Sequence, residues 1–371
     1  MTVITPGNLR KKVVLVGGGH THALVLHVLK RDPLRNVDLT VINPGKTAPY
    51  SGMLPGFVAG HYQRDDLDID LQELADRVGA TLIDGRAVGM DVDEGHVILQ
   101  DKTRLPYDLA SVDVGITSHM KALPGFAENG IPAKPLAEFA SRWDTYRSAE
   151  GPKNAAIIGG GIAGAEIAMA MAFALRNDPN DVSIKLLDRS QILSHNSKTA
   201  QRLVRQALLR NSVELLEGAN VAEVTPSSVV FTDGTSIDAN FVVGAAGATP
   251  HDWVRNTGLH LKNGFIEVDA TLQTSAPGVF AVGDCAHMSF DPRPKAGVFA
   301  VRQAPVLTAN LHLSLSGGAL RTYQPQSDYL KLVSLGGKHA FGEKTGYGFS
   351  GHLMWRLKDK IDRDFMRQFS A

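Results

Sequence analysis

Two segments of this chain answer each other, and together they leave few folds open. Lys12-Val-Val-Leu-Val16 runs into Gly17-Gly18-Gly19, and Asn154-Ala-Ala-Ile-Ile158 runs into Gly159-Gly160-Gly161, 142 residues later. Each is followed by an apolar-periodic helix, Ala23 to Leu29 in the first and Ala165 to Leu175 in the second. A further β-rich run follows each helix, Leu39 to Ile42 and Ser183 to Leu187. Strand, glycine turn, helix and strand make a βαβ unit. Two such units predict an α/β chain with two doubly wound, Rossmann-like nucleotide-binding domains.

The rest of the composition agrees with that class and excludes others. At 371 residues the chain has room for two or three domains of roughly 150 residues. Its 38 lysines and arginines balance 38 aspartates and glutamates, so the basic excess of a nucleic-acid binder is missing. No apolar run approaches the ~20 residues that span a bilayer. The start, MTVITPGNLRKKVVLVGGG, has no secretory h-region, which predicts a cytoplasmic protein. There is one cysteine, Cys285. It rules out an intrachain disulfide, a Cys-based zinc site and a two-cysteine relay within one chain. No metal site is expected.

Gly159-x-Gly161-x-x-Gly164 fits the dinucleotide fingerprint. Its glycines allow a tight turn, close approach of a pyrophosphate and close helix-to-strand packing. The phosphates then sit on a helix N-terminus, where N–H groups and the macrodipole favour anions. Asp188 closes the unit where a carboxylate would hold a ribose 2′-hydroxyl, which favours NADH over NADPH; Arg189 beside it leaves NADPH open. The first turn departs from the pattern, with His22 at the third glycine position and Asn43 at the acidic one. Asn43 can still bond a ribose hydroxyl. His20 or His22 could touch the pyrophosphate, or could equally pack or face solvent.

A third element decides the family. Val279-Phe-Ala-Val282 runs into Gly283-Asp284, and at this point the chain resembles the two-dinucleotide-binding-domain flavoproteins of the glutathione-reductase type, the pyridine nucleotide–disulfide oxidoreductase superfamily. Tyr107-Asp108 with Asp113-Val-Gly115, and Ile237-Asp238 with Ala246-Gly247, look like its two crossover segments. The resemblance implies that Asp284 holds the ribityl chain of FAD. It implies that Gly17, Gly19 and Gly115 lie along the FAD, and that the second fingerprint takes NAD(P)H. The implied division is 1–128 and 265–325 for the FAD-binding domain and 129–264 for the NAD(P)H-binding domain. Residues 326–371 form a small C-terminal strand and amphipathic-helix segment.

Disulfide reductases of this superfamily carry one or two cysteines after the first βαβ unit. Here the comparable stretch, Pro49-Tyr-Ser-Gly-Met-Leu-Pro55, has Ser51 at that place, and a hydroxyl cannot replace a thiolate in redox exchange. Ser51 is expected to bond the flavin or its phosphates, and Cys285 to pack. Without a thiol relay the chain resembles type II NADH dehydrogenases, which pass electrons from flavin to quinone. That likeness implies a role for Glu166 beside the nicotinamide, and flavin tuning by Lys295 and Gln303 at the helix from about Gly297 to Leu313. It also suggests peripheral membrane contact through the closing helix, about His352 to Phe369. There Leu353, Leu357, Ile361, Phe365 and Phe369 recur at i+4; packing on the core or at a homodimer interface explains the same pattern. Gly-Gly-Gly-His-Thr-His, Pro-Tyr-Ser-Gly-Met-Leu-Pro-Gly, Gly-Val-Phe-Ala-Val-Arg-Gln and Tyr-Leu-Lys-Leu-Val-Ser look like a subfamily found alone or fused ahead of a selenide, water dikinase domain. The chain would stand alone or be cut near Ala371.

The expected function is therefore an FAD-dependent NAD(P)H dehydrogenase serving a quinone-like or other small acceptor. An NAD(P)H-dependent reductase of a selenium or sulfur species is the alternative, and a flavin redox sensor without turnover a third reading.

Overall fold

The computed structural model describes residues 10–118 and 120–370; the leader reading of the first nine residues falls outside them. The chain divides into two compact units. One comprises residues up to 48, 69–115 and 250–325; the other comprises 49–68, 116–249 and 326 onward.

The first unit is built on five parallel strands in the spatial order Val279–Ala281, Leu109–Val112, Lys11–Val16, Val37–Asn43, Thr81–Asp84. Val13 to Val16 are all buried, because helices cover both faces of a parallel sheet and leave no polar alternation. The order places the first strand at the point where the winding reverses, beside Leu109–Val112, where ligands bind in such sheets. The helix after the glycine turn runs His20–Leu29 and starts three residues before the apolar periodicity does. Its first turn consists of His20, Thr21 and His22, which carry no hydrophobic signal. Gly297–Ser316 forms the other long helix and ends on Gly317 at φ +71°.

The second unit repeats the plan. Its parallel sheet has the order Gly130–Pro132, Phe241–Gly244, Lys153–Ile158, Val182–Asp188, Val213–Glu217. The helix Ile162–Leu175 is apolar on nearly every side and correspondingly buried, with Ala165 and Ala168 to Met171 at 0% exposure. An antiparallel sheet, Lys331–Ser334, Ala340–Lys344 and Tyr347–Gly351, precedes the closing helix His352–Arg367.

These compact units cut across the expected division into 1–128, 129–264, 265–325 and 326–371. Residues 49–68 bring Met53, Phe57, Val58 and Leu67 into the second core, and Val333, Leu335 and Phe341 join the same cluster. The C-terminal segment is therefore part of the second unit. Phe126 packs with Ala156, Ile158 and Val224, which moves the first boundary forward to residue 116. Residues 250–264 go with the first unit because Leu261–Lys262 pairs with Phe265–Val268, which in turn pairs with Ala286–Met288.

The closing helix also differs from the i+4 row read along it. Asp362 and Phe369 are buried, whereas Leu353 is 72% and Ile361 42% exposed. The inward face is held by a charged pair: the Lys358 ammonium lies 2.6 Å from the Asp362 carboxylate. Among the described residues, no helix is long and apolar enough to cross a membrane.

Candidate functional site

In the first unit, Gly17 adopts φ +93°, and a Cβ there would stand 2.4 Å from the Asp113 carbonyl oxygen. The turn is stripped of side chains because the crossover strand passes directly behind it. Asn43 clamps it: its Oδ1 accepts the Gly18 N–H at 3.0 Å, and its Nδ2 donates to Gly45 and Thr47 carbonyls at 3.0 and 3.2 Å.

His22 lies elsewhere than a pyrophosphate contact would need. It is fully buried, with Nδ1 2.7 Å from the Gly17 carbonyl oxygen and Nε2 2.8 Å from the Ser111 hydroxyl. Both ring nitrogens are spent on protein partners, so the histidine fastens the turn to the sheet. Burial pulls its pKa down to about 4, against the hydrogen bond to Gly17. His20 opens the same helix, near Gly297.

Asp113, in the first crossover segment, has a role that the sequence pattern does not announce. Its Oδ2 accepts the N–H groups of Thr21 and His22 at 2.9 and 3.1 Å, capping a helix whose own N-cap, Gly19, has no side chain to do so. A Cβ on Gly19 would sit 2.2 Å from that carboxyl group. Burial pushes the Asp113 pKa up to about 7, against the two N–H bonds, and the Asp284 charge adds to the rise.

Asp284 leaves the strand Val279–Ala281 in a 3-10 turn, Gly283–Cys285. Gln303 is buried, and its Oε1 accepts the Gly283 N–H at 2.7 Å; it holds the turn that aims Asp284. Lys295 donates to the Ala286 carbonyl and lies 4.0 Å from the Phe265 ring centroid. Both side chains thus brace the aspartate turn instead of projecting from it. Gly115, at φ +67°, ends the unit with open space around it. The Cys285 thiol is buried, bonded to the Val112 and Val282 carbonyls, and pushed up to about 12 by burial.

In the second unit a cavity of about 740 Å³ opens at the glycine turn, lined by Gly159, Gly160, Gly161, Asp188, Arg189 and Ser190 among others. Gly164 must be glycine: its Cβ would meet the Gly159 carbonyl oxygen at 1.9 Å. Gly161 caps the helix without a side chain, and nothing lies within 4 Å of where its Cβ would be. This is a cradle of the size and polarity that a dinucleotide pyrophosphate requires. Asp188 Oδ2 accepts the Gly160 N–H at 2.7 Å, while Oδ1 accepts the Ser190 N–H and hydroxyl at 2.8 and 2.7 Å. Burial opposes its ionisation, but these bonds and the Arg189 charge hold its carboxyl below the usual range.

Glu166 lies on the next turn of this helix, its Oε1 accepting the Ser334 N–H at 2.7 Å. Burial pushes its carboxyl up to about 7, against the charge of Lys358. Lys358 donates to the Gly52 carbonyl and to Asp362, both at 2.6 Å, and the Tyr50 hydroxyl donates to Asp362 at 3.2 Å. Ser51 begins the 3-10 turn Ser51–Met53 between these contacts, in the second unit, whereas Gly17, Asn43 and Asp284 belong to the first. The Lys358–Asp362–Tyr50 cluster was missed, although an i,i+4 Lys–Asp pair among apolar neighbours marks it.

Comparison with known proteins agrees with this geometry. Residues 11–304 match the model of the pyridine nucleotide-disulphide oxidoreductase family. The NADH dehydrogenase-like protein YutJ of Bacillus subtilis (strain 168) is 26% identical over 351 residues, 91% of this chain and 92% of that protein. Among solved structures, the sulfide:quinone oxidoreductase of Aquifex aeolicus superposes with a TM-score of 0.78 at 17% identity, covering 97% of this chain and 91% of that one. NDH2 from Plasmodium falciparum, solved with NADH, also reaches 0.78, at 11% identity and 97% coverage of each chain. With two glycine turns, a cradle at the second and an aspartate turn at the first, the chain belongs to the pyridine nucleotide-disulphide oxidoreductase family and is an FAD-dependent NAD(P)H oxidoreductase.

Proposed function

We propose that this enzyme passes electrons from NAD(P)H through FAD directly to a quinone-like acceptor, with no cysteine relay. One observation carries the reading. The single thiol, Cys285, is buried and held far above neutrality, so it offers neither access nor a thiolate. Ser51 stands where relatives of the disulfide-reducing branch carry their nucleophile.

When bound, FAD supplies the hydride-accepting and electron-donating chemistry. The protein supplies position and charge. Gly17, Gly19 and the start of His20–Leu29 would seat the FAD pyrophosphate, Asn43 would fix that turn, and Asp284 would bond the ribityl hydroxyls, with Gln303 and Lys295 holding its turn. Gly159, Gly161 and Gly164 would admit the NAD(P)H pyrophosphate, with Asp188 at the ribose. Ser51 would face the flavin. Glu166, poised near pH 7, holds a proton suited to an acceptor that takes up protons with its electrons. Outward-facing Leu353 and Ile361, with Tyr347 and Phe349 at 74% and 68% exposure, support peripheral contact with a membrane, where quinones reside.

The test is reoxidation. Protein bleached anaerobically by NAD(P)H should regain its yellow colour at once with a short-chain menaquinone and slowly with selenite or polysulfide. The reverse ranking would replace the quinone reading with reduction of a selenium or sulfur species. Failure of every acceptor would favour a sensor without turnover.

A further inference from the structure

The two glycine turns differ at one matched position. In the second unit the Ala245 N–H donates to the Ile158 carbonyl, and a Cβ on Gly159 would meet the Ala245 backbone. In the first unit the Asp113 N–H donates to the Val16 carbonyl, and a Cβ on Gly17 would meet the Asp113 backbone. Asp113 thus carries a carboxyl group where the second unit has only the methyl of Ala245. The helix starts differ accordingly. Nothing lies within 4 Å of a Cβ placed on Gly161, whereas a Cβ on Gly19 would stand 2.2 Å from the Asp113 carboxyl carbon. No side chain caps Ile162–Leu175, which leaves that end to an anion. His20–Leu29 already has an anion, because Asp113 Oδ2 accepts the N–H groups of Thr21 and His22. The amides of Gly17, Gly18 and Gly19 are likewise spent, on the Ile42 carbonyl, the Asn43 side chain and the Asp113 carbonyl.

A carboxylate and a pyrophosphate repel each other strongly at one buried helix end. Asp113 is only 3% exposed, and no ion pair engages it among the described residues. Five titratable groups face it. The charge of Asp284 opposes its ionisation, and burial keeps the Cys285 thiol neutral. The His22 ring is spent on Gly17 and Ser111. The Lys295 ammonium acts on Asp284 and Cys285, and His20 opens the helix beside Gly297. Asp113 Oδ1 lies between the two turns, since a Cβ on Gly19 or Gly283 would stand 2.3 or 2.4 Å from it.

We propose that Asp113 enters the FAD site as the neutral acid, so that the chain takes up one proton from solvent for each FAD it binds. This rests on the first glycine turn and the Gly283-Asp284 turn being the FAD seat. The neutral acid removes the conflict of charge. Its carbonyl oxygen keeps the cap on Thr21 and His22, and its hydroxyl becomes a donor to a phosphate oxygen. Burial already lifts the carboxyl to about 7, and the negative charge of a pyrophosphate beside it lifts it further. FAD is therefore held most tightly below neutral pH.

The full chain, purified with its FAD, is diluted at a series of pH values from 5.5 to 9, and released flavin is read by its fluorescence. The wild-type Kd should be level below about pH 6 and rise about tenfold per pH unit above 7, the slope of one linked proton. Rebinding of FAD to the stripped full chain at pH 8, by calorimetry in two buffers of different ionisation heat, should count about one proton taken up. Asp113→Asn, uncharged and of the same shape, should change its Kd by less than about twofold across the range and hold FAD more tightly than wild type at pH 9. A cap with a purely structural role would give no proton count. No proton uptake by wild type, or the same pH slope in Asp113→Asn, overturns the proposal. Asp284→Ala separates it from the reading it rests on. If that variant loses FAD while wild type takes up no proton, the seat stands and the coupling falls; if it keeps FAD in full, both fall.

Discussion

The imidazole of His22 stands 2.7 Å from the carbonyl oxygen of Gly17, in the place where, one βαβ unit later, Gly164 packs its Cα against Gly159. The same two turn positions are joined in both units, once by a side-chain hydrogen bond and once by bare backbone contact. The backbone N–H of His22 also donates to Asp113 at 3.1 Å, so two buried titratable groups with opposite shifts share one helix end.

Their shifts make opposing demands on pH. His22 falls to about 4 from 6.5, so the unfolded chain binds the extra proton and stability drops as pH falls from 6.5 towards 4. Asp113 rises to about 7 from 3.8, so the folded chain binds the extra proton and stability drops as pH rises through that window. Each contributes a slope of about 1.4 kcal/mol per pH unit, and between pH 4 and 6.5 the two nearly cancel. Asp113→Asn should remove one slope and leave stability rising with pH, relative to wild type. His22→Gln should do the opposite. Urea unfolding at half-unit pH steps reads both, and parallel curves for all three proteins would refute the pairing.

Much of this is legible in the amino-acid sequence. The glycine turns, their helices and the strand before Gly283-Asp284 all announce themselves through local pattern, because backbone geometry at a pyrophosphate tolerates few residue types. What stayed hidden depends on distant partners. Asp113 lies 92 residues from the Thr21 N–H it accepts, and Lys358 lies 306 residues from the Gly52 carbonyl. His22 looked like a defect in the fingerprint because nothing local predicts Ser111 beside it. The compact units cross the expected boundaries for the same reason: residues 49–68 bury their apolar side chains in a core that is otherwise assembled after residue 130.

Lys358 and Asp362 form an ion pair with side-chain exposures of only 11% and 6%. Breaking such a pair strands the remaining charge, at about 3 kcal/mol or more, whereas replacing both partners by apolar residues can be neutral. Lys358→Met should therefore lower the unfolding midpoint markedly, and the double variant Lys358→Met/Asp362→Leu should recover most of the loss. If the double variant is as unstable as the single, the contact of Lys358 with Gly52 matters more than its pairing with Asp362.

Glu166 carries a carboxyl raised to about 7, which gives its proposed proton-holding role a pH signature. Below that value the group is protonated and able to donate; above it the proton is gone. Acceptor-limited turnover should decline as pH rises through 7 in wild type. Glu166→Gln should remove that limb, lowering turnover about tenfold or more at pH 6 while leaving the rate of flavin bleaching by NAD(P)H within a few fold. An unaltered pH profile in the variant would assign the limb to another group.

Gly283 is a strict backbone position at the FAD side. It adopts φ +67°, and a Cβ there would stand 2.4 Å from Asp113 Oδ1. Gly283→Ala therefore meets two penalties, a left-handed conformation disfavoured for alanine by about 1 kcal/mol and a clash with the buried carboxyl that caps the first-turn helix. Gln303→Ala leaves the conformation alone but removes the acceptor of the Gly283 N–H, at about 1–3 kcal/mol for an unpaired buried donor. Both variants should lose FAD on gel filtration, and both should also lose stability in the apoprotein, because the clash and the unpaired N–H exist without the cofactor. Asp284→Ala should lose FAD with a smaller loss of apoprotein stability than Gly283→Ala, because it introduces neither a strained backbone nor a clash. That contrast separates the residue proposed to touch the cofactor from those that hold it in position. Full FAD retention by Asp284→Ala would remove the aspartate from the binding site and leave its turn a purely structural feature.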